Sequence, residues 1–220
     1  MLTFQTHIIR SNRKTVAMQI DTHGMVVIKA PLRFPPKNIQ RFIQQNKDWI
    51  QKRLVKIQQH PQTKREYKHG ETFLYLGKEH IIEVGEHKSI SVKDEKILFP
   101  HFLAFRMQKE MESWYIQQAK NLISTQLEYY AKQMNLSYTS VTFSDTKSSW
   151  GSCSHDNALQ FNWRLIMTPL LVINYVIIHE LTHTIEKNHS FFFWTKVRSV
   201  NPSYKQQIKW LKTHGNTLVV

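Results

Sequence analysis

The stretch His179-Glu180-Leu181-Thr182-His183 determines how the rest of the sequence is interpreted. Two histidines four residues apart share one face of a helix, at about 6 Å from each other, so both imidazoles can reach one ion. On a β-strand the same residues would lie about 13 Å apart and could not share a metal. The spacing therefore predicts a helix that carries two metal ligands, and zinc is the expected ion.

Glu180, beside the first histidine, is the predicted general base, because a carboxylate at this position can take a proton from a metal-activated water. Catalytic zinc sites have three protein ligands and leave one position open. We predict His189 as the third ligand, which requires the helix to end near Lys187 and Asn188. Asparagine suits that position because it tolerates the left-handed conformation that terminates helices.

Two other side chains compete for a place at the metal. Glu186 lies one turn beyond His183 on the same helix face and is the alternative third ligand. We predict for it a supporting role, in which it holds an imidazole by its other nitrogen. Cys153, the single cysteine, is either a fourth ligand that would close the site or a small packed residue on a loop.

The composition describes a globular, strongly basic protein. With 220 residues, of which 41% are hydrophobic, the chain can bury a proper core. Its 30 lysines and arginines against 16 acidic residues give a net charge of +14, and the pI is about 9.9. This charge indicates either an anionic partner, such as a nucleotide, a nucleic acid or an acidic protein, or simply a solvated basic surface.

The same features predict a soluble, cytoplasmic protein. A single cysteine excludes an internal disulfide bond and fits a reducing compartment. Residues 1 to 14 have no apolar core long enough for a signal peptide. The longest apolar run, residues 170 to 178, is about half of what a membrane span requires, so we expect no membrane partner.

Hydrophobic periodicity predicts an α+β fold in two domains, a β-rich scaffold at residues 1–100 and a second domain at residues 101–220. In the first domain we expect a hairpin within residues 4–30, an amphipathic helix over 37–59, an exposed linker over 59–68 and a small antiparallel sheet over 70–100. In the second domain we expect helix over 101–134, strands over 138–145 and 158–165, a polar loop over 151–157, and a buried helix from 170 to about 187.

Several motifs together resemble one known family. They are Lys147-x-x-Trp150-Gly151-Ser152-Cys153-Ser154, Asn162-Trp163-Arg164-Leu165, His179-Glu180-Leu181-x-His183, Asn188-His189-Ser190 and Phe193-Trp194. The sequence resembles the YgjP-like metallopeptidases, a zincin group distantly similar to SprT-type proteases. The resemblance extends to a small leading domain through Arg13-Lys14-Thr15, residues 26–31, Trp49-Ile50 and Tyr75-Leu76-Gly77.

This resemblance implies a zincin-like second domain in which the metal-binding helix lies beside an antiparallel sheet. It also implies a zinc-dependent hydrolase with His179, His183 and His189 as ligands and Glu180 as base. The family often has arginine where this chain has Ser149, so no substrate-anchoring role is carried over to that position.

Residues beyond the metal site have less definite roles in this interpretation. In a zincin, the strand over 158–165 would lie at the edge of the cleft and could pair with an extended peptide. Arg164, Tyr175 and Tyr204 have the chemistry to stabilise an oxyanion. Lys147 and Arg164 are either solvated charges or contacts to an anionic substrate, and Trp150, Trp163 and Trp194 are expected in the core.

Three functions fit the sequence. A metallopeptidase is favoured by the helix motif and the candidate edge strand. A metal-dependent phosphoanhydride hydrolase acting on nucleoside triphosphates is the first alternative, because the same constellation activates water without choosing its target. A nucleic-acid-associated basic module is the second, although no helix-turn-helix, zinc-finger or RNA-binding signature supports it.

Overall fold

The computed structural model describes residues 4–21, 24–59, 65–146, 149–215 and 218, with no side chains described for 56–59. It confirms the predicted α+β class. The chain divides into two compact units, Met1–Lys64 and Arg65–Val220. This division falls at residue 64, whereas the sequence placed the domain boundary at residue 100. The difference arises because the sheet over residues 72–100 shares one hydrophobic core with the long helix that follows it.

A three-stranded sheet and two helices form the N-terminal unit. Its strands are β1 (Thr6–Ser11), β2 (Ala17–Ile20) and β3 (Val26–Pro31), in the order β1-β3-β2. The predicted hairpin is confirmed as the antiparallel pair β2–β3, and β1 adds to it in parallel, which the sequence did not indicate. The core of this unit consists of six fully buried apolar residues, Val26, Ile28, Ala30, Ile39, Ile50 and Leu54.

The helix predicted over 37–59 is divided in two. Helix α1 spans Pro36–Gln45 and α2 spans Lys47–Gln59, with Asn46 between them. The Asn46 side-chain amide donates to the Phe42 carbonyl at 2.8 Å. This hydrogen bond satisfies one of the carbonyl groups at the C-terminal end of α1. Part of the predicted linker, residues 60–64, lies outside the described residues.

The larger unit begins with a four-stranded sheet in the order β4-β5-β7-β6. Its strands are β4 (Thr72–Tyr75), β5 (Lys78–Gly85), β6 (Ser91–Lys93) and β7 (Lys96–Pro100). We predicted an antiparallel sheet, but β5 and β7 are parallel and place Ile82 beside Ile97. This arrangement buries Ile82 and Ile97 next to each other and leaves β6, whose three residues are exposed, at an edge.

The long helix α3, Met107–Met134, forms the centre of the larger unit. Its buried residues recur almost every four positions, from Met107 and Met111 to Ala131 and Met134, and make one continuous stripe. A 3₁₀ helix over His101–Arg106 replaces the first turns of the predicted helix. The helix ends at Asn135, whose φ of 53° is left-handed.

A second three-stranded sheet lies next to the buried helix. It contains β8 (Ser140–Ser144), β9 (Gly151–Cys153) and β10 (Ala158–Asn162) in the order β8-β10-β9. The expected antiparallel sheet is mixed, because β8 and β10 are parallel.

The prediction of an edge strand over 158–165 was wrong. Strand β10 is the central strand of the sheet. Strand β9, which lies within the predicted polar loop, is an edge strand. β10 also ends early, at Asn162, because the Asn162 side chain accepts a hydrogen bond from the Arg164 N–H at 2.9 Å and begins a 3₁₀ helix over Trp163–Met167.

Helix α4, Leu170–Thr182, is the predicted buried helix, and nine of its residues are buried. It starts where Gly77 contacts Pro169 so closely that a Cβ on Gly77 would lie 2.6 Å from the proline ring. Helices α5 (Phe191–Val200) and α6 (Tyr204–His214) complete the fold. Among the described residues, no helix has both the length and the apolar character needed to cross a membrane.

Candidate metal centre

Three imidazoles converge at the end of α4. His179 lies in the last turn of this helix and His183 is its C-cap residue, and their ring centroids are 4.9 Å apart. The Nε2 atoms of His179 and His189 are 3.0 Å apart. A nitrogen from each of His179, His183 and His189 lies within 4.8 Å of the other two. Among the described residues, this is the one group of histidine, cysteine and carboxylate side chains close enough to hold a metal ion.

The chain returns His189 to this cluster by ending α4 earlier than predicted. The helix stops at Thr182, and the backbone amides of Ile185 and Glu186 both donate to the Thr182 carbonyl in a further turn. Asn188 is not among the described residues with a left-handed backbone, so the proposed terminating role for it was wrong. The next helix, α5, is capped by Ser190, whose hydroxyl accepts from the Phe193 N–H at 3.2 Å.

The hydrogen bonds on the outer nitrogens orient the rings. His183 Nδ1 lies 2.8 Å from the Glu186 carbonyl oxygen. A carbonyl can only accept, so Nδ1 of His183 carries the proton and its Nε2 keeps a free lone pair. The Tyr175 hydroxyl lies 3.3 Å from His179 Nδ1 and can hold that ring in the same tautomer.

Burial favours the neutral form of His179 and His183. It lowers the pKa of His179 to about 3, and the nearby imidazoles of His183 and His189 contribute to the shift. Burial also lowers the pKa of His183. Neutral imidazole is the form that binds metal, so the low pKa values of these two histidines suit a ligand role. Three imidazole nitrogens at this separation fit a divalent ion such as zinc.

Aromatic rings pack around the cluster. Phe193 is fully buried, and its ring centroid lies 4.9, 4.5 and 4.8 Å from those of His179, His183 and His189. Trp194 stacks on His189, and Tyr204 stacks on Trp194. Sequence reasoning placed Trp194 in the core and quoted Phe193 as part of a motif, but it did not predict that the Phe193 ring contacts all three imidazoles.

Glu180 is buried against the edge strand β9. Its side chain is so close to Gly151 that a Cβ on Gly151 would lie 2.7 Å from both Cγ and Oε1 of Glu180. Glu180 is 5% exposed, and burial raises the pKa of its carboxyl to about 8. Sequence reasoning quoted Gly151 as part of a motif but did not predict this contact.

The other predicted residues have different surroundings. Glu186 supports His183 through its backbone carbonyl, while its carboxylate accepts from the Ser190 hydroxyl at 3.3 Å. Arg164 forms an ion pair with Asp145, and its guanidinium lies 4.3 Å from the Trp163 ring centroid. Lys147 lies outside the described residues.

Cys153 is separate from the metal-binding group. Its sulfur lies 3.5 Å from Lys187 Nζ, which also donates to the Ser154 carbonyl at 2.7 Å and to Asn157 Oδ1 at 2.5 Å. Lys187 therefore ties the turn between β9 and β10 to the segment that follows α4. The cysteine belongs to this structural contact, and its thiol pKa is raised by burial.

A comparison with known protein families agrees with this geometry. A family model described as YgjP-like, metallopeptidase domain, matches residues 14–214. No curated protein matches the chain. The crystal structure of the metallopeptidase zymogen of Methanocaldococcus jannaschii jannalysin is similar over 41% of this chain and 94% of that chain, with 20% identity and a TM-score of 0.36. That partial likeness adds nothing to the account of the site.

Proposed function

The chain belongs to the YgjP-like metallopeptidase family, and from this premise we propose that it is a zinc-dependent peptidase with His179, His183 and His189 as ligands and Glu180 as general base. One observation carries the proposal. Three imidazoles converge beside a buried carboxylate that itself lies against the edge of a β-sheet.

His179, His183 and His189 would hold the zinc ion, which would supply Lewis acidity to polarise the scissile carbonyl and to lower the pKa of water and of a neighbouring carboxyl group. In its ionised form, Glu180 accepts a proton from the attacking water as the water oxygen bonds to the carbonyl carbon. The carboxyl group then gives this proton to the amide nitrogen as the carbon–nitrogen bond breaks. Burial keeps Glu180 out of bulk water and fixes its position between α4 and β9.

We propose that β9, in place of the predicted strand over 158–165, holds the peptide. An edge strand has backbone donors and acceptors on one side that an extended peptide can pair with. Gly151 in this strand has no side chain, and this is what allows the Glu180 carboxylate to approach the strand. A peptide paired with β9 would therefore lie next to the proposed base.

The surroundings of the site support a peptide over a nucleotide. Binding a triphosphate requires cations directed at the phosphate oxygens. Arg164, the predicted cation that the structure describes, is paired with Asp145 and stacked on Trp163. We also propose a cytoplasmic location, since Cys153 is the single cysteine and is a free thiol.

The test is a substrate screen of the zinc-loaded protein. Casein and a peptide library are incubated in one arm, and the four nucleoside triphosphates in another, each beside Glu180→Gln. We expect peptide cleavage that Glu180→Gln reduces by about 10²- to 10⁴-fold, the usual contribution of a general base. Release of phosphate or pyrophosphate that disappears in Glu180→Gln, without peptide cleavage, would replace the peptidase proposal with the phosphoanhydride alternative.

A further inference from the structure

The N-terminal unit carries most of the net positive charge of the protein. Residues 1 to 64 contain 12 of the 30 lysines and arginines but only two of the 16 acidic residues, Asp21 and Asp48. This unit therefore accounts for +10 of the formal net charge of +14. Two carboxylates can neutralise at most two of these cations, and such an excess in one small unit is typical of proteins that bind polyanions.

Many of these cations are directed to solvent. Those that are exposed in the described part of the unit are Arg10, Lys14, Arg33, Lys37, Arg41 and Lys52. Arg10 has a structural role, because its Nη1 donates to the carbonyls of Pro31, Leu32 and Phe34 at 2.8 to 3.2 Å. The remaining side chains are available to a ligand.

Helix α1 concentrates charge at positions that do not favour its own stability. Lys37 and Arg41 lie one turn apart, and like charges at this spacing repel each other. Lys37 also stands in the first turn of α1, which contains no acidic residue, and a cation there opposes the helix dipole. A bound anion would relieve both effects, since it would neutralise the pair and interact favourably with the dipole.

An exposed indole lies among the cations of α2. Trp49 is 47% exposed and is the one tryptophan of six that is not at least partly buried in the fold. Lys52 and Arg53 follow it at three and four residues, so they share its side of the helix. Nucleic-acid bases stack on exposed aromatic rings, and neighbouring cations hold the phosphates.

We propose that the N-terminal unit binds single-stranded nucleic acid, with Lys37 and Arg41 contacting phosphates and Trp49 stacking on a base. The charge excess favours a polyanionic ligand. The exposed indole favours a nucleic acid with unpaired bases, because in a duplex the faces of the bases are stacked on one another and are not accessible. A membrane surface would require a continuous exposed apolar helix face. Ile39, Ile50 and Leu54 of α1 and α2 are instead buried in the core of the unit, and the large apolar side chains described as exposed on these helices are Trp49 and Val55.

The experiment measures binding of the full chain to a labelled oligo-dT of about 20 nucleotides by fluorescence anisotropy over a range of salt concentrations. A duplex of equal length and vesicles containing anionic lipid are the comparison ligands. We expect the oligo-dT to bind most tightly, and the logarithm of its affinity to fall linearly with the logarithm of salt concentration. Glu180→Gln should bind equally well, so the outcome does not depend on peptidase activity.

A pair of matched variants localises the binding. Lys37→Gln/Arg41→Gln removes two exposed cations one turn apart on α1, and Lys205→Gln/Lys209→Gln removes an equivalent exposed pair on α6 in the larger unit. The α1 pair should lose about tenfold or more in affinity and lower the salt slope by about 1.4, which corresponds to two phosphates of a single strand. The α6 pair should change the affinity less than about twofold.

Trp49→Leu tests the stacking contact separately. It should weaken oligo-dT binding by about fivefold or more and leave the salt slope unchanged, because no charge is removed. Circular dichroism verifies that each variant is folded. Equal losses in the two charge pairs, no effect of Trp49→Leu, or binding of the duplex or the vesicles as tight as that of oligo-dT would overturn the proposal.

Discussion

Gly151 and Glu180 lie so close together that a single added carbon would collide with the carboxylate. A Cβ on Gly151 would be 2.7 Å from Oε1 and Cγ of Glu180, a distance that folded proteins do not tolerate. The two residues come from the edge strand and from the buried helix. Their contact fixes the position of the proposed base relative to the strand that is proposed to hold the peptide.

Gly151→Ala should therefore impair catalysis without removing the metal. The added methyl group displaces the Glu180 carboxylate, and a displacement of about 1 Å at a catalytic group can cost about 10²-fold in kcat. Peptide hydrolysis and zinc content are measured on the same preparation. Ser152→Ala, a change at the exposed neighbouring position, is the matched control and should retain activity. Full activity in Gly151→Ala would show that Glu180 does not need this contact.

The raised pKa of Glu180 predicts a specific dependence of stability on pH in the metal-free protein. Burial raises this pKa from 4.5 to about 8, so the folded state binds the proton more tightly than the unfolded state. The contribution of Glu180 to stability is fully present below pH 4.5 and is lost as the pH rises through 8.

Glu180→Gln has no carboxyl group at position 180 to ionise. The free energy of unfolding of this variant minus that of the native chain should therefore be larger at pH 8.5 than at pH 5. The increase should be on the order of 2–4 kcal/mol. Urea unfolding of the two metal-free proteins at both pH values measures it, and other titrating groups cancel in the difference. A stability difference that is the same at both pH values would mean that Glu180 ionises freely in the folded protein.

The Tyr175 hydroxyl is predicted to support zinc binding through a hydrogen bond to Nδ1 of His179. It lies 3.3 Å from Nδ1, on the side of the ring opposite the Nε2 that meets His189. Tyr175→Phe removes this hydrogen bond and should weaken zinc affinity by about 10- to 100-fold. Titration with a competing chelator gives the affinity.

Tyr204→Phe is the control for this measurement. The Tyr204 ring stacks on Trp194, and among the described hydrogen bonds its hydroxyl is not paired with any of the three imidazoles. Zinc affinity should be unchanged in this variant. If the two substitutions weakened zinc binding equally, the hydrogen bond to His179 would not be the cause.

The parts of the site that depend on local sequence were predictable. His179 and His183 meet because four residues make one helical turn, and the α+β class, the long helix and the buried helix follow from apolar periodicity. The sequence predicted that His189 joins the other two histidines, but it predicted the wrong structural cause. Asparagine was expected to end the helix, but a turn bonded to the Thr182 carbonyl and the Ser190 cap of α5 place the residue.

The long-range arrangement of strands was not predictable from periodicity. The alternation of Leu159 and Phe161 indicates a strand but not its neighbours, so β10 was placed at the edge of the sheet when it lies at the centre. Gly151, Ser152 and Cys153 are small residues without an apolar pattern, and their sequence was interpreted as a loop. Only tertiary structure shows that they pair with β10 and lie against Glu180.

The zinc content of two single variants tests the central claim most directly. Elemental analysis of the purified protein should find roughly one zinc ion per chain, as expected for a site with three protein ligands. His189→Ala should lose most of this zinc, whereas Glu186→Ala should retain it, because Glu186 holds His183 through its backbone carbonyl. Retention of zinc in His189→Ala together with its loss in Glu186→Ala would contradict the three-histidine site.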